Sequence, residues 1–181
     1  MQQCTDQEII ELFRNEDSRN MSIHIMIKQY QERLYWHIRK IVIDHDDADD
    51  VLQNTFIKAW KGMENFKGEA KIYTWLFRIG TNESISFLRQ KRSNLVSIHP
   101  IEYHLSNILS SDSYFEGDKI QLKLQKAILT LPEKQRIVFN MRYYDEMPYQ
   151  EMSEILETSE GALKASYHIA AKKIEEILLN H

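Results

Sequence analysis

The segment Asp44–Asp50 concentrates side chains that could bind a metal ion, with five carboxylates and one imidazole in seven residues. Calcium prefers carboxylate oxygens, and His45 with a neighbouring carboxylate could bind a transition metal. A calcium EF-hand loop also needs a central glycine and a glutamate at its twelfth position, whereas this segment has no glycine and its twelfth residue is Thr55. A transition-metal site would need further ligands from elsewhere in the chain. Clustered aspartates before an apolar stretch are typical of a helix start, where carboxylates cap free N–H groups and favour the positive end of the dipole.

A second group of residues could bind nucleic acid. Residues 72–92 read IYTWLFRIGTNESISFLRQKR and mix aromatic side chains with cations. Single-stranded nucleic acid needs this combination, because bases stack on ring faces while cations follow the phosphates. The alternative is packing, since aromatic residues on helices are often core residues. The pattern leaves both interpretations open.

The C-terminal part has helix-turn-helix spacing. Helices are predicted at about 132–143, 149–156 and 160–178, and only Glu157, Thr158 and Ser159 join the last two. Ser159 is a natural N-cap. In this geometry the second helix enters the DNA major groove with its N-terminal residues toward base edges. The residues expected to face DNA are Lys164, Ala165, His168 and Ile169, with Lys172 and Lys173 near phosphates.

The elements that must position these groups are helices. Further helices are predicted at about 22–43, from the aspartate cluster to about 61, and at 72–92, on apolar spacings of three and four residues. Only 5 Gly and 3 Pro leave little room for the many tight turns of an all-β fold. We expect an all-α protein of two small helical domains.

Charge and composition limit the functional classes. The net charge is −4, yet residues 58–92 carry eight Lys or Arg and three Glu. Residues 93–118 contain four acids, several serines and no Lys or Arg, which predicts a flexible acidic linker between domains 1–92 and 119–181. Cys4 is the sole cysteine, and the sequence has neither a signal-peptide pattern nor an apolar run long enough to span a membrane. We therefore expect a cytoplasmic protein.

These blocks together resemble the extracytoplasmic-function (ECF) group of bacterial sigma factors, in the sigma-70 family. Ala48–Phe56 followed by Ala59-Trp60 resembles region 2.2, and Phe66-Lys67-Gly68 with Tyr73–Ile79 and Asn82 resembles regions 2.3 and 2.4. Leu131–Arg136, Tyr149–Leu156 and Ser159–Lys164 resemble region 4. The resemblance covers nearly the whole chain.

The resemblance implies a transcription initiation factor without catalytic chemistry or a cofactor, which directs core RNA polymerase to promoters. It implies partners in the polymerase β′ clamp helices and β subunit, in promoter DNA, and in an anti-sigma factor. Polymerase binding is implied for Asp49, Asp50, Gln53, Asn54, Phe56 and Trp60. Recognition and melting of the minus-10 element is implied for Lys67, Gly68, Lys71, Tyr73, Trp75, Arg78, Asn82, Arg89, Lys91 and Arg92. Recognition of the minus-35 element is implied for Ser159, Gly161, Lys164, Ala165, His168, Ile169 and Lys172.

Two departures and two rival functions remain open at this point. Glu157 stands where the family often has a turn glycine, and glutamate can be accommodated there if the turn avoids positive φ. The last helix also carries fewer cations than many members, which predicts a shallower salt dependence of DNA binding. The rivals are a conventional helix-turn-helix regulator, which would bind duplex DNA without polymerase, and a metal enzyme built on the aspartate cluster.

Overall fold

The chain folds entirely into helices over the residues that the structure describes. The computed structural model describes residues 4–94, 101–112 and 119–179, and no strand occurs among them. The predicted all-α class is therefore confirmed. The helices are α1 (Asp6–Arg14), α2 (Arg19–Val42), α3 (His45–Gly62), α4 (Ile72–Asn94), α5 (Ile101–Ser111), α6 (Lys119–Leu129), α7 (Glu133–Tyr143), α8 (Tyr149–Leu156) and α9 (Glu160–Leu179), with 3-10 turns at Glu16–Ser18 and Met63–Asn65.

The aspartate cluster starts α3, as the sequence predicts. Asp44 is the N-cap, and its side chain accepts a hydrogen bond of 3.1 Å from the backbone N–H of Asp47. The Asp47 carboxylate in turn pairs with Lys91 of α4. The cluster thus both caps α3 and ties its first turn to the end of α4.

The helices α1–α4 form an N-terminal bundle around α2, which packs against each of the other three. The apolar stripe of α2 is fully buried, with Leu34 and Ile38 at its centre. Gly80 lets α4 approach it closely, because a Cβ at this position would lie 3.0 Å from Cδ1 of Leu34. The opposite face of α4 is therefore held at a fixed position on the surface.

The helices α6–α9 form a C-terminal bundle. A small apolar cluster joins α6, α7 and α9, with Phe139 and Ile174 among its buried members. Buried residues of α7, α8 and the start of α9 belong instead to the large apolar cluster of the N-terminal bundle. The two bundles are consequently packed against each other.

The predicted linker contains a helix that the acidic, serine-rich composition did not indicate. Helix α5 buries Leu105 and Leu109 in the large apolar cluster. At its end, Asp112 forms a largely buried ion pair with Arg39 of α2. The interpretation of residues 93–118 as a flexible tether is therefore wrong for residues 101–112, while 95–100 and 113–118 lie outside the described residues.

The turn between α8 and α9 contains a residue in the left-handed region. Glu157 adopts φ 50° and ψ 42°, so the turn does not avoid positive φ. In this region the Cβ of an ordinary residue crowds the following carbonyl oxygen. Glutamate is accommodated here as a helix C-cap, whose N–H donates to the carbonyl of Ser153.

Replacing Glu157 by Gly should stabilise the protein relative to Glu157→Ala. Both variants remove the carboxylate, but only glycine relieves the left-handed conformation. The expected difference is about 0.5–1 kcal/mol in the free energy of unfolding, after allowance for the larger backbone entropy that glycine loses. Urea denaturation of the two variants measures it. Equal stability, or a more stable alanine variant, would contradict the assigned strain.

Candidate nucleic-acid interface

An open groove lies between the 3-10 turn Met63–Asn65, the loop that follows it, and the exposed face of α4. Its volume is about 910 Å³. Phe66 and Trp75 both line it, with ring centroids 4.7 Å apart and planes inclined by 31°. Gly62 permits this arrangement, because a Cβ there would lie 3.0 Å from the indole Cζ2 of Trp75. The groove therefore has an aromatic wall backed by the end of α3.

The start of α4 is fixed by a residue of α1. The backbone N–H of Ile72 donates a 2.8 Å hydrogen bond to Oδ2 of Asp6, and the hydroxyl of Tyr30 donates to the other carboxylate oxygen at 2.9 Å. Burial, followed by the interactions with Asp6, raises the pKa of Tyr30 to about 12. The phenol consequently remains a hydrogen-bond donor at neutral pH. A carboxylate at a helix N-terminus is also favourable for the helix dipole, so Trp75 stands on a well-anchored first turn.

Four of the residues implied for minus-10 recognition line this groove, namely Lys67, Trp75, Arg78 and Asn82. Gly68 and Lys71 lie in the adjoining loop. Gly68 has φ 76°, a conformation that glycine adopts readily because it has no Cβ. The groove thus combines rings, an exposed amide and cations on one surface.

The other implied minus-10 residues lie elsewhere on α4. The ring of Tyr73 packs against that of Phe77, with centroids 4.1 Å apart and planes inclined by 40°, and the guanidinium of Arg33 lies over the Tyr73 ring. Burial raises the pKa of Tyr73 to about 12. Lys91 pairs with Asp47, and Arg92 lies 3.5 Å from Glu133. Arg89 is exposed near the end of the helix. Tyr73 is thus mainly a packing residue, and the three cations extend the surface away from the groove.

Several residues that line the groove were not predicted from the sequence. Asn65 and Thr74 line it, as does Lys58, which pairs with Glu83. The hydroxyl of Thr74 is buried, with no hydrogen-bond partner among residues 4–94, 101–112 and 119–179. Thr74 lies in the segment Tyr73–Ile79, so its position on α4 could be predicted from the sequence. Its orientation toward the groove could not be predicted.

The first half of α3 presents a polar edge. Asp49, Asp50, Gln53 and Asn54 are all exposed on it. Phe56 is only 9% exposed, and Trp60 packs edge-on against Phe13 with centroids 5.8 Å apart. Of the residues implied for polymerase binding, the four polar ones can contact a partner directly, whereas the two aromatic ones support the helix from below.

The second helix of the helix-turn-helix, α9, exposes the side predicted to face DNA. Ser159 caps it, accepting a 3.4 Å hydrogen bond from the N–H of Ala162. Ile169 is 54% exposed, an unusual position for a large apolar side chain. The remaining implied residues, Gly161, Lys164, Ala165, His168 and Lys172, are also exposed. Lys173, which is also predicted to lie near phosphates, is exposed and donates a 3.2 Å hydrogen bond to the carbonyl of Thr130.

Over residues 4–94, 101–112 and 119–179, no group of three or more His, Cys, Asp or Glu side chains is arranged to hold a metal ion. Among the helices described, none combines the length and the apolar character needed to cross a membrane.

Comparison with known proteins assigns both halves of the chain. Residues 26–94 match the family Sigma-70 region 2, and residues 121–174 match Sigma-70, region 4. The RNA polymerase sigma-H factor of Pseudomonas aeruginosa is 26% identical, over 96% of this chain and 93% of its own. The ECF RNA polymerase sigma-E factor of Escherichia coli is 25% identical, over 96% of this chain and 94% of its own.

Two solved structures share the fold. A chain in the complex of CnrH with the cytosolic domain of CnrY superposes with a TM-score of 0.70 at 20% identity, over 96% of both chains. A chain in the complex of the sigma factor RpoE with the anti-sigma factor NepR from Bartonella quintana gives 0.65 at 23% identity, over 84% of this chain and 94% of that one. Region 2 contains the groove and region 4 contains the helix-turn-helix, in the order of the family, and the chain therefore belongs to the ECF group of the sigma-70 family of transcription initiation factors.

Proposed function

We propose that this chain binds core RNA polymerase through the polar edge of α3 and holds the melted non-template strand of the minus-10 element in the groove beside α4. Residues 1–92 carry these two roles. Residues 119–181 read the minus-35 element as duplex DNA, through α9. The polymerase supplies the catalysis, and the chain selects the promoter from within the cytoplasm.

The observation that carries this proposal is the construction of the groove. A base extruded from a duplex loses its stacking, at a cost of a few kcal/mol. Aromatic faces offset that cost, at about 1–3 kcal/mol for each stacked base. The Phe66–Trp75 wall offers such faces, and Lys67 and Arg78 lie beside it to meet phosphates. A duplex-reading regulator does not need a groove of this kind.

The edge of α3 suits a basic partner. Asp49 and Asp50 are exposed and separated by one turn from the amides of Gln53 and Asn54. Complementary charge speeds association and makes it sensitive to salt. The β′ clamp helices and the β subunit of polymerase are the partners proposed for regions 2 and 4. An anti-sigma factor that covers these surfaces would keep the chain inactive.

The exposed side of α9 is suited to binding duplex DNA mainly through uncharged contacts. Ala165 and Ile169 present apolar groups that could contact thymine methyls, and Lys172 can meet a phosphate. His168 lies between them and can donate to a base edge. Recognition of the minus-35 element is therefore assigned to the N-terminal half of α9.

The experiment that tests the function is reconstitution with core RNA polymerase. Co-elution at moderate salt, followed by run-off transcription from a library of upstream sequences, should give selective transcripts. Duplex DNA binding without any association with polymerase would favour the conventional regulator.

Asn82→Ala should slow promoter opening without weakening polymerase binding. The amide is exposed in the groove, and loss of one hydrogen bond to the strand, at about 0.5–1.5 kcal/mol, corresponds to roughly a two- to tenfold decrease in open complex. Permanganate reactivity of the melted region measures it. Gln90→Ala is the matched control, since Gln90 is an exposed amide on the same helix outside the groove. Equal effects of the two variants would rule out a specific role for Asn82.

The double variant Asp50→Ala, Gln53→Ala should weaken binding to core polymerase about tenfold or more, because it removes one charge and one amide from the centre of the edge. The double variant Gln7→Ala, Glu11→Ala makes the same chemical change on exposed positions of α1 and should bind normally. Fluorescence anisotropy of the labelled chain titrated with polymerase gives both affinities. Unchanged affinity in the α3 variant would remove the docking assignment.

A further inference from the structure

A second, smaller cavity lies beside the groove, between α1 and the 3-10 turn Met63–Asn65. Its volume is about 280 Å³. Two phenyl rings, two guanidinium groups and one carboxylate line this side pocket, from Phe13, Phe66, Arg14, Arg19 and Glu64. Among the described residues, those that line it all belong to the N-terminal bundle. The side pocket is therefore a feature of region 2 alone.

Phe66 connects the side pocket with the groove. It lines both cavities, so its ring is a wall that they share. On the groove side, this ring lies 4.7 Å from the indole of Trp75. Arg14 and Glu64 are exposed at the side pocket, which is thus open to solvent. A single strand held in the groove can consequently place a neighbouring base in the side pocket.

Arg19 is held in place inside the side pocket. Its Nε donates a 3.3 Å hydrogen bond to the carbonyl of Phe13, and its guanidinium carbon lies 5.0 Å from the centroid of the Phe13 ring. Nη1 lies 3.3 Å from Oε1 of Glu64. A guanidinium has more N–H donors than these contacts use. Donors therefore remain for a ligand while the group keeps its position.

Arg14 brings a second guanidinium to the same cavity. It lies in the last turn of α1, where a cation is favourable for the helix dipole. Its side chain forms no hydrogen bond or ion pair within residues 4–94, 101–112 and 119–179. Glu64 offsets only one of the two positive charges that line the pocket. The pocket therefore has a net positive charge and unused N–H donors.

The contact between Glu64 and Arg19 can be exchanged for a ligand. The two side chains are 62% and 32% exposed. An ion pair with this exposure contributes little to stability, because water and salt screen it. Glu64 can consequently turn toward a donor on a bound molecule at small cost, while the contacts with Phe13 keep Arg19 in place.

This set of groups matches a guanine base. Arginine donates to O6 and N7 of guanine, which is the commonest specific contact between proteins and bases. Guanine also has N–H donors at N1 and N2, next to O6, and a carboxylate beside an arginine can accept from them. Adenine presents an amino group where guanine presents O6, so it would face the guanidinium groups with a donor. The shared ring of Phe66 offers a face for stacking.

We propose that the side pocket binds a guanine base of the melted strand, with Arg14 and Arg19 donating to its O6 and N7, and Glu64 accepting from its N1–H and N2–H. This inference rests on the proposed function for the presence of the strand, whereas the chemistry of the pocket applies equally to a free guanine nucleotide. Helix α1 and the start of α2 then take part in promoter selection. Promoters with guanine at one position beside the bases in the groove are favoured.

The first test uses the free chain and mononucleotides, without polymerase or promoter. The methyl group of Met63, which lines the side pocket, gives a carbon-13 signal that Met63→Leu identifies. Guanosine monophosphate should shift this signal at a concentration about fivefold or more lower than the adenosine, cytidine and uridine monophosphates. These carry the same sugar and phosphate, so the comparison isolates the base. No preference for guanosine monophosphate in the native chain would overturn the proposal.

Two variants show whether the arginine at the end of α1 causes this preference. Arg14→Ala should abolish it. Lys61→Ala removes the same charge from an exposed position at the end of α3, outside the side pocket, and should leave the preference unchanged. Equal behaviour of the two variants would overturn the assignment to the side pocket.

The second test places the base in the strand. In promoters selected with core polymerase, guanine replaces each non-template base of the melted region in turn, and the lifetime of the open complex is measured. One position should favour guanine about fivefold or more. Glu64→Gln should lose this preference, because an amide cannot accept from both N–H groups. Glu16→Gln makes the same change at an exposed position outside the pocket and should retain it.

The outcomes separate the side pocket from the proposed function. A guanine preference that survives in both Arg14→Ala and Glu64→Gln would assign it to polymerase and overturn the role of the pocket. Open complexes with no guanine preference at any position would overturn the binding of the strand there. A preference for guanosine monophosphate in the free chain, with no open complex on any promoter, would support the pocket and count against the proposed strand-binding function.

Discussion

The close approach of α4 to α2 at Gly80 is the constraint on which the functional surface depends. A Cβ at Gly80 would lie 3.0 Å from Leu34, so only the absence of a side chain lets one face of α4 lie flat on the central helix. The opposite face is then available for Trp75, Arg78 and Asn82. Asp6 of α1 fixes the first turn of the same helix through the N–H of Ile72. The groove is accordingly a property of the whole N-terminal bundle, because helices α1, α2 and α3 all position its wall.

This construction explains how one small bundle can present two different surfaces. Helix α3 turns Phe56 inward and keeps its first-half carboxylates and amides in solvent, while its end at Gly62 supports Trp75. A partner at the acidic edge and a strand in the groove would thus lie on opposite ends of one helix. Rigid positioning of this kind lowers the entropic cost of binding a melted strand, because the rings are already held in place.

Six of the nine α-helices in the described residues, and most of the exposed residues, were predicted from the sequence, because apolar spacing and capping are local. The Thr5 and Glu8 capping box of α1, and the spacing of Leu105 and Leu109 in α5, are local signals too and could have predicted those helices. The packing of the bundles could not be predicted, since His37 and Asp145 are 108 residues apart and neither lies in a recognisable motif. For the same reason, the sequence indicated that Trp75 and Tyr73 belong to one aromatic helix but not that Trp75 lines the groove while Tyr73 packs on Phe77.

The central claim, that the melted strand lies against the Phe66–Trp75 wall, is tested most directly by photo-crosslinking. A promoter selected from the library would carry 4-thiothymidine at single positions of the non-template minus-10 strand, in a complex with the chain and core polymerase. Mass spectrometry of the crosslinked peptides should identify residues of the loop 63–71 and the first half of α4. Crosslinks confined to α9, or to polymerase alone, in a complex that is open and transcribing would contradict the account.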